Sequence, residues 1–137
     1  MKEMINLICG AMGTAFVYVF GGLDIALQCL LVVIVLDYIT GLIKGYKNAN
    51  LDSKVGIKGI LKKVGVLCLV ALSVVIDKIT GETGLIRTTV IYYLVANEGL
   101  SIVENLADIG IIVPEFLKNR LNQIKNMEDQ KSSKKVK

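Results

Sequence analysis

Histidine is absent from these 137 residues, which removes the commonest general base and metal ligand. The cysteines, Cys9, Cys29 and Cys68, fall in separate apolar segments without paired spacing. Neither a disulfide framework nor a zinc site of the usual spacing follows from them, and each reads as a small apolar side chain. There is no nucleophile–base pair and no metal cluster in the pattern. Gly56 and Gly59 are too sparse to cradle a phosphate and fit close helix packing better. Enzyme readings have little to stand on, and no cofactor is expected.

What the chain has instead is apolar length. Hydrophobic residues make up 53% and charged ones 20%, and the mean hydropathy is +0.60. The run from Leu23 to Ile43, LDIALQCLLVVIVLDYITGLI, is interrupted only by polar residues such as Asp24, Gln28 and Asp37. About 20 helical residues span the ~30 Å hydrocarbon layer of a bilayer. Similar segments lie at 4–20, around 64–76 and at 86–106. The expected architecture is all-α and multi-pass. Four transmembrane helices, at about 4–20, 23–43, 60–80 and 86–107, form a membrane domain over 1–113. An amphipathic helix and charged tail over 114–137 face the cytoplasm. Three crossings, with the first segment lying on the membrane, is the main competitor. Lys2 is cancelled by Glu3 and no small-x-small site follows Phe20, so the first segment resembles a signal peptide only superficially.

The charge distribution orients these spans. From Lys44 to Lys63 there are six lysines against one acid, Asp52, and from Pro114 onward seven bases against three acids. Basic connections stay in the cytoplasm, which places both termini there and the connections near 21–23 and 77–87 outside. The lysines flank apolar spans and are not interleaved with aromatics. Orientation and contact with anionic lipid therefore explain them better than nucleic acid does.

Local signals punctuate the helices. Gly21-Gly22 breaks the first and makes an outer turn. Gly10, Gly13 and Thr14, and separately Gly41 and Gly45, put small residues on helix faces where another helix can approach. Asp52-Ser53 makes an N-cap. Ile57, Ile60, Leu61 and Val64 recur at helical spacing opposite Lys58, Lys62 and Lys63, so the lysines are expected to reach for headgroups. Pro114 suits the first turn of a last helix, with Glu115 favourable to its dipole and Leu117, Leu121 and Ile124 as its apolar stripe. The tail from Glu128 is expected to be disordered.

The fourth segment is the most polar. Asn97, Ser101, Glu104, Asn105 and Asp108 share one helical face, with Glu98 beside it. An ionisable group in a membrane costs about 2.5–3.5 kcal/mol on insertion scales and by default signals function. Glu98 falls close to mid-bilayer. Within one copy only Asp37, Gln28 and Ser73 stand out as intramembrane partners, and no lysine or arginine is expected at that depth to neutralise it. Two readings follow: helix–helix hydrogen bonding in a fixed bundle, or gathering of copies around a shared polar interior. Under the second, Asn97, Glu98, Ser101, Glu104, Asn105 and Asp108 line the assembly or its pore.

The stretch LDYITGLIKGYKNANLDSKVGIKGILKKVG resembles the toxin-secretion/phage-lysis holin family through Asp37, Gly41, Ser53, Gly56, Gly59 and Lys63. A later stretch, ANEGLSIVENLADIGIIVPEFLKNRL, resembles that family's second block through Asn97, Glu98, Ser101, Glu104, Asn105, Gly110 and Pro114. The resemblance implies a small phage-encoded protein of the bacterial host's cytoplasmic membrane that homo-oligomerises. It opens lesions passing an endolysin, or a toxin in related clostridial members, and an antiholin is a possible partner. Competing classes are an antiholin-like regulatory subunit and a small four-helix transporter. The first segment here offers only Asn6 where such exporters carry an essential acid.

Overall fold

The structure is a computed structural model that describes residues 1–49 and 52–135. These form five helices: α1 (Lys2–Phe20), α2 (Ile25–Lys47), α3 (Ser53–Thr80), α4 (Leu85–Asp108) and α5 (Glu115–Lys135). Each boundary has a local cause. Gly21 ends α1 in the left-handed region, φ 75°, returning its N–H to Val17 O; only glycine enters that region without penalty. Asp24 caps α2 by accepting from Leu27 N at 3.0 Å, and Asp52 caps α3 by accepting from Lys54 N at 3.2 Å. Gly81, at φ 73°, closes α3. Pro114 stands immediately before α5. That last helix runs to Lys135, past Glu128 where disorder is expected from composition.

α1, α2 and α3 are long and apolar enough to cross a membrane. α4, expected as a fourth span, falls short of that apolarity, and its position explains why. It is the inner helix of the bundle, packed by α2, α3 and α5, so much of its polar surface meets protein. The core joins Leu27, Leu30 and Ile34 of α2, Val70 of α3, and Ile91 and Leu94 of α4, with Phe16 and Phe20 of α1 packed against it. α1 sits at the edge against α3 and buries no residue.

The distribution of polarity is inverted relative to a water-soluble bundle. Leu7, Tyr18, Val32, Val35, Leu61 and Leu72 face outward, while Asp37, Lys63, Asp77, Arg87 and Glu98 are buried. Water outside such a bundle would reward neither group; lipid outside rewards both.

Candidate functional site: two charged tiers within the bundle

The inner tier is built by one residue from each of three helices. Lys63 of α3 forms ion pairs with Asp37 of α2 and with Glu98 of α4. Glu98 is 0% exposed. The expectation that no cation reaches Glu98 is therefore overturned. Lys63 follows Lys62 by one residue, and the ~100° turn between helical neighbours sends it inward, away from the lysines at the headgroups. Of the other partners expected for Glu98, Asp37 joins it through Lys63. Gln28 donates instead to Leu23 O at 3.0 Å, and Ser73 to Val70 O at 2.6 Å.

A short polar chain extends this tier. Asn105 Nδ2 donates to Asp37 Oδ1 and to Thr40 Oγ1, both at 3.2 Å. Thr40 Oγ1 donates to Asp37 O at 3.1 Å. Asp37 thus has partners on both carboxylate oxygens. Glu98 uses Oε2 on Lys63, and its Oε1 is buried without a hydrogen-bond partner among the described residues. Two carboxylates share one ammonium. Buried charges persist only when paired, and removing one partner of such a set is more costly than never having built it.

Beside this tier a cleft of about 170 Å³ opens between α2 and α3. Gly41 and Gly45 wall it on one side and Gly56 and Gly59 on the other, with Asp37, Tyr38, Lys63, Ser101 and Asn105 also in its lining. A Cβ on Gly59 would stand 3.5 Å from the Tyr38 ring, in ordinary contact, so the ring lies directly against this glycine. Residues from both sequence blocks, far apart along the chain, meet at this cleft.

The outer tier was not anticipated. Arg87 of α4 grips Asp24 with two nitrogens, Nη1 to Oδ2 at 2.8 Å and Nη2 to Oδ1 at 3.1 Å. It also donates to Phe20 O at 2.5 Å and to Gly22 O at 3.0 Å. One guanidinium so binds the end of α1, the turn and the start of α2, a use of the planar fork that lysine cannot match. Asp77, at the end of α3, accepts from Ile86 N at 3.0 Å and Arg87 N at 2.8 Å and so caps α4 from another helix. The signal was present in the spacing. Asp24 to Asp37, Lys63 to Asp77, and Arg87 to Glu98 cover about 20, 21 and 17 Å of helix respectively, so charges on three helices fall into two levels.

The polar stripe expected on α4 is divided by the structure. Glu98, Ser101 and Asn105 turn toward α2 and α3. Asn97 turns toward α5, accepting from Lys125 Nζ at 3.3 Å. Asp108 pairs with Lys44 at 2.5 Å, its carbonyl accepting from Lys47 at 3.1 Å. Glu104 is exposed. Of the remaining motif residues, Ser53 opens α3, Gly110 takes φ 94° after α4, and Pro114 introduces α5.

Residues 14–126 match the bacteriophage holin family, and the chain belongs to that family. A probable holin of Bacillus phage phi105 is 37% identical over 117 residues, covering 85% of this chain and 86% of the phage protein. The uncharacterized 14.9 kDa protein in the nagH 3′ region of Clostridium perfringens is 42% identical over 130 residues, 92% of this chain and 98% of its own length. An uncharacterized Listeria innocua protein is 45% identical over 107 residues, 78% and 76% of the two chains. No solved structure matches. Family and exterior agree on a membrane-embedded protein of the phage holin kind.

Proposed function

We propose that this chain is a holin that gathers into oligomers in the bacterial cytoplasmic membrane and opens lesions through which an endolysin, or a toxin, escapes. The observation that carries the reading is the inverted bundle: apolar side chains outward, two charged tiers inward. α1 to α4 make four crossings with both termini in the cytoplasm. Residues 1–113 form the membrane part, and 114–137 a cytoplasmic helix and tail. Lys54, Lys58 and Lys62 then lie at the anionic inner leaflet, where each basic side chain gains roughly 1 kcal/mol. Glu104 and Asn97, the stripe residues committed neither to the inner tier nor to the ion pair with Lys44, are the ones left to direct assembly. An antiholin would act by joining such assemblies without opening them.

Induced expression of the chain alone, beside a cytoplasmic endolysin lacking any export signal, tests this. The expected result is abrupt depolarisation followed by lysis after a fixed delay. Gradual, pH-gradient-driven efflux of a dye would identify a transporter, and an intact membrane at high abundance a regulatory subunit. Either overturns the proposal.

A further inference from the structure

Lys62 and Lys63 are neighbours with opposite surroundings. Lys62 lies within about 1.5 Å of the level of the inner tier. With the outer tier at the outer boundary of the hydrocarbon, the inner tier is about 17–21 Å further along the helices. Of a ~30 Å layer, roughly 9–13 Å then remains on the cytoplasmic side. Lys63 meets two carboxylates there. Lys62 is exposed and has no ion pair among the described residues. A lysine at that depth keeps its charge by lifting its ammonium along its stem toward the headgroups.

The α2–α3 cleft lies on that path, and Lys62 is in its lining. Tyr38 lines it too, and its hydroxyl stands 3.8 Å from a Cβ placed on Gly56. That hydroxyl has no hydrogen-bond partner among the described residues. Gly56 is six residues, about 9 Å, nearer the cytoplasm than Lys62, which puts the hydroxyl close to the headgroup boundary. The carboxylates of the lining are engaged elsewhere. Asp37 holds Lys63 and Asn105, and Asp52 caps α3. What stands open is an ammonium rising from below and a phenolic donor beside it, and both suit the oxygens of a phosphodiester. Below them the flank of α2 is apolar and exposed at Leu36 and Ile39, a surface for an acyl chain. A second copy inserted in the same orientation brings the same six lysines to this level, and like charges oppose its docking here.

We infer that the α2–α3 cleft binds an anionic phospholipid of the cytoplasmic leaflet, its phosphate between the Lys62 ammonium and the Tyr38 hydroxyl. The inference rests on the orientation that places the lysine-rich connection in the cytoplasm. The lipid supplies the counter-charge that no described residue gives Lys62, and it joins α2 to α3 where their glycines leave the cleft open.

The chain has no tryptophan, so one placed beside the cleft reports alone. The full chain with Ile39→Trp is reconstituted in phosphatidylcholine vesicles containing rising fractions of phosphatidylglycerol brominated on its acyl chains. A parallel series uses brominated phosphatidylcholine. Phosphatidylglycerol should reach half-maximal quenching at a roughly fivefold lower fraction, the effect of about one lysine at an anionic surface. Adding Lys62→Met should make the two lipids equal. Lys54→Met, which removes an exposed lysine outside the cleft, should keep most of the difference. Tyr38→Phe retains the ring and should weaken the response to phosphatidylglycerol at least roughly twofold; an unchanged response overturns the hydroxyl's part in the site. Equal quenching by the two lipids with both lysines present overturns the inference and leaves the orientation standing. So does an equal loss from both lysine variants, which marks diffuse attraction to surface charge. Absence of quenching by either lipid overturns the orientation itself, because Ile39 would then face no lipid.

Discussion

Lys63 is one cation facing two buried carboxylates, so its loss acts differently from the loss of either acid. Lys63→Met leaves Asp37 and Glu98 as like charges without an ammonium between them. Removing one member of a buried ion pair costs about 3–5 kcal/mol, and here both surviving members are stranded. The variant should melt well below the wild type in detergent and be degraded in cells. Adding Asp37→Asn and Glu98→Gln removes the stranded charge and should recover most of that loss. A Lys63→Met protein that melts like the wild type would show that the inner tier does not hold α2, α3 and α4 together. In the sequence this residue was visible as one of a run of lysines and as part of the family resemblance, neither of which names its partners. Its partners lie 26 and 35 positions away, and what separates it from Lys62 is rotational phase, which composition does not record.

Among the elements, those that border a turn were legible because their limits are written in local chemistry. Gly21 and Gly22, the cap Asp52, and Pro114 each act within a few residues, and each falls where a helix begins or ends; the cap at Asp24 emerged only in the structure. Pairing between helices was not legible. The stripe Leu117, Leu121 and Ile124 announces that α5 has an apolar face without saying that α4 receives it. The glycines behave the same way, since equal residues on two helices have unequal surroundings. A Cβ on Gly59 meets the Tyr38 ring at 3.5 and 3.6 Å, whereas one on Gly13 meets nothing within 4 Å. Gly59→Leu adds three more carbons beyond a Cβ already touching the ring and should cost about the 1–3 kcal/mol typical of overpacking. Gly13→Leu on the edge helix should stay within about 0.5 kcal/mol of wild type, as surface changes do. Paired thermal melts of the two variants in detergent check the contrast. Equal melting temperatures would mean that the α2–α3 cleft has no fixed width.

For the whole molecule, the decisive quantity is the side of the membrane on which each connection lies. With the outer tier at the outer boundary of the hydrocarbon, the inner tier, about 17–21 Å further along the helices, falls within the ~30 Å layer, where protein shelters it. That arrangement holds for α2, α3 and α4 whichever way α1 lies, because among the described residues α1 contributes to the outer tier through the Phe20 carbonyl alone. The orientation of the three-helix core and the path of α1 are thus separate questions, and separate labels answer them. In a chain with Cys9, Cys29 and Cys68 changed to alanine, Gly22→Cys should react with an impermeant maleimide applied outside intact cells. Asn48→Cys should react only after permeabilisation, because six lysines between Lys44 and Lys63 hold that connection inside. Lys2→Cys reports on α1 alone. Protection until permeabilisation means that α1 crosses and the chain spans four times. Immediate reaction from outside means that α1 rests on the outer surface, leaving three crossings around an unchanged core. Reaction of Asn48→Cys from outside would invert the bundle, placing the basic connection against the charge rule that orients every other part of the chain.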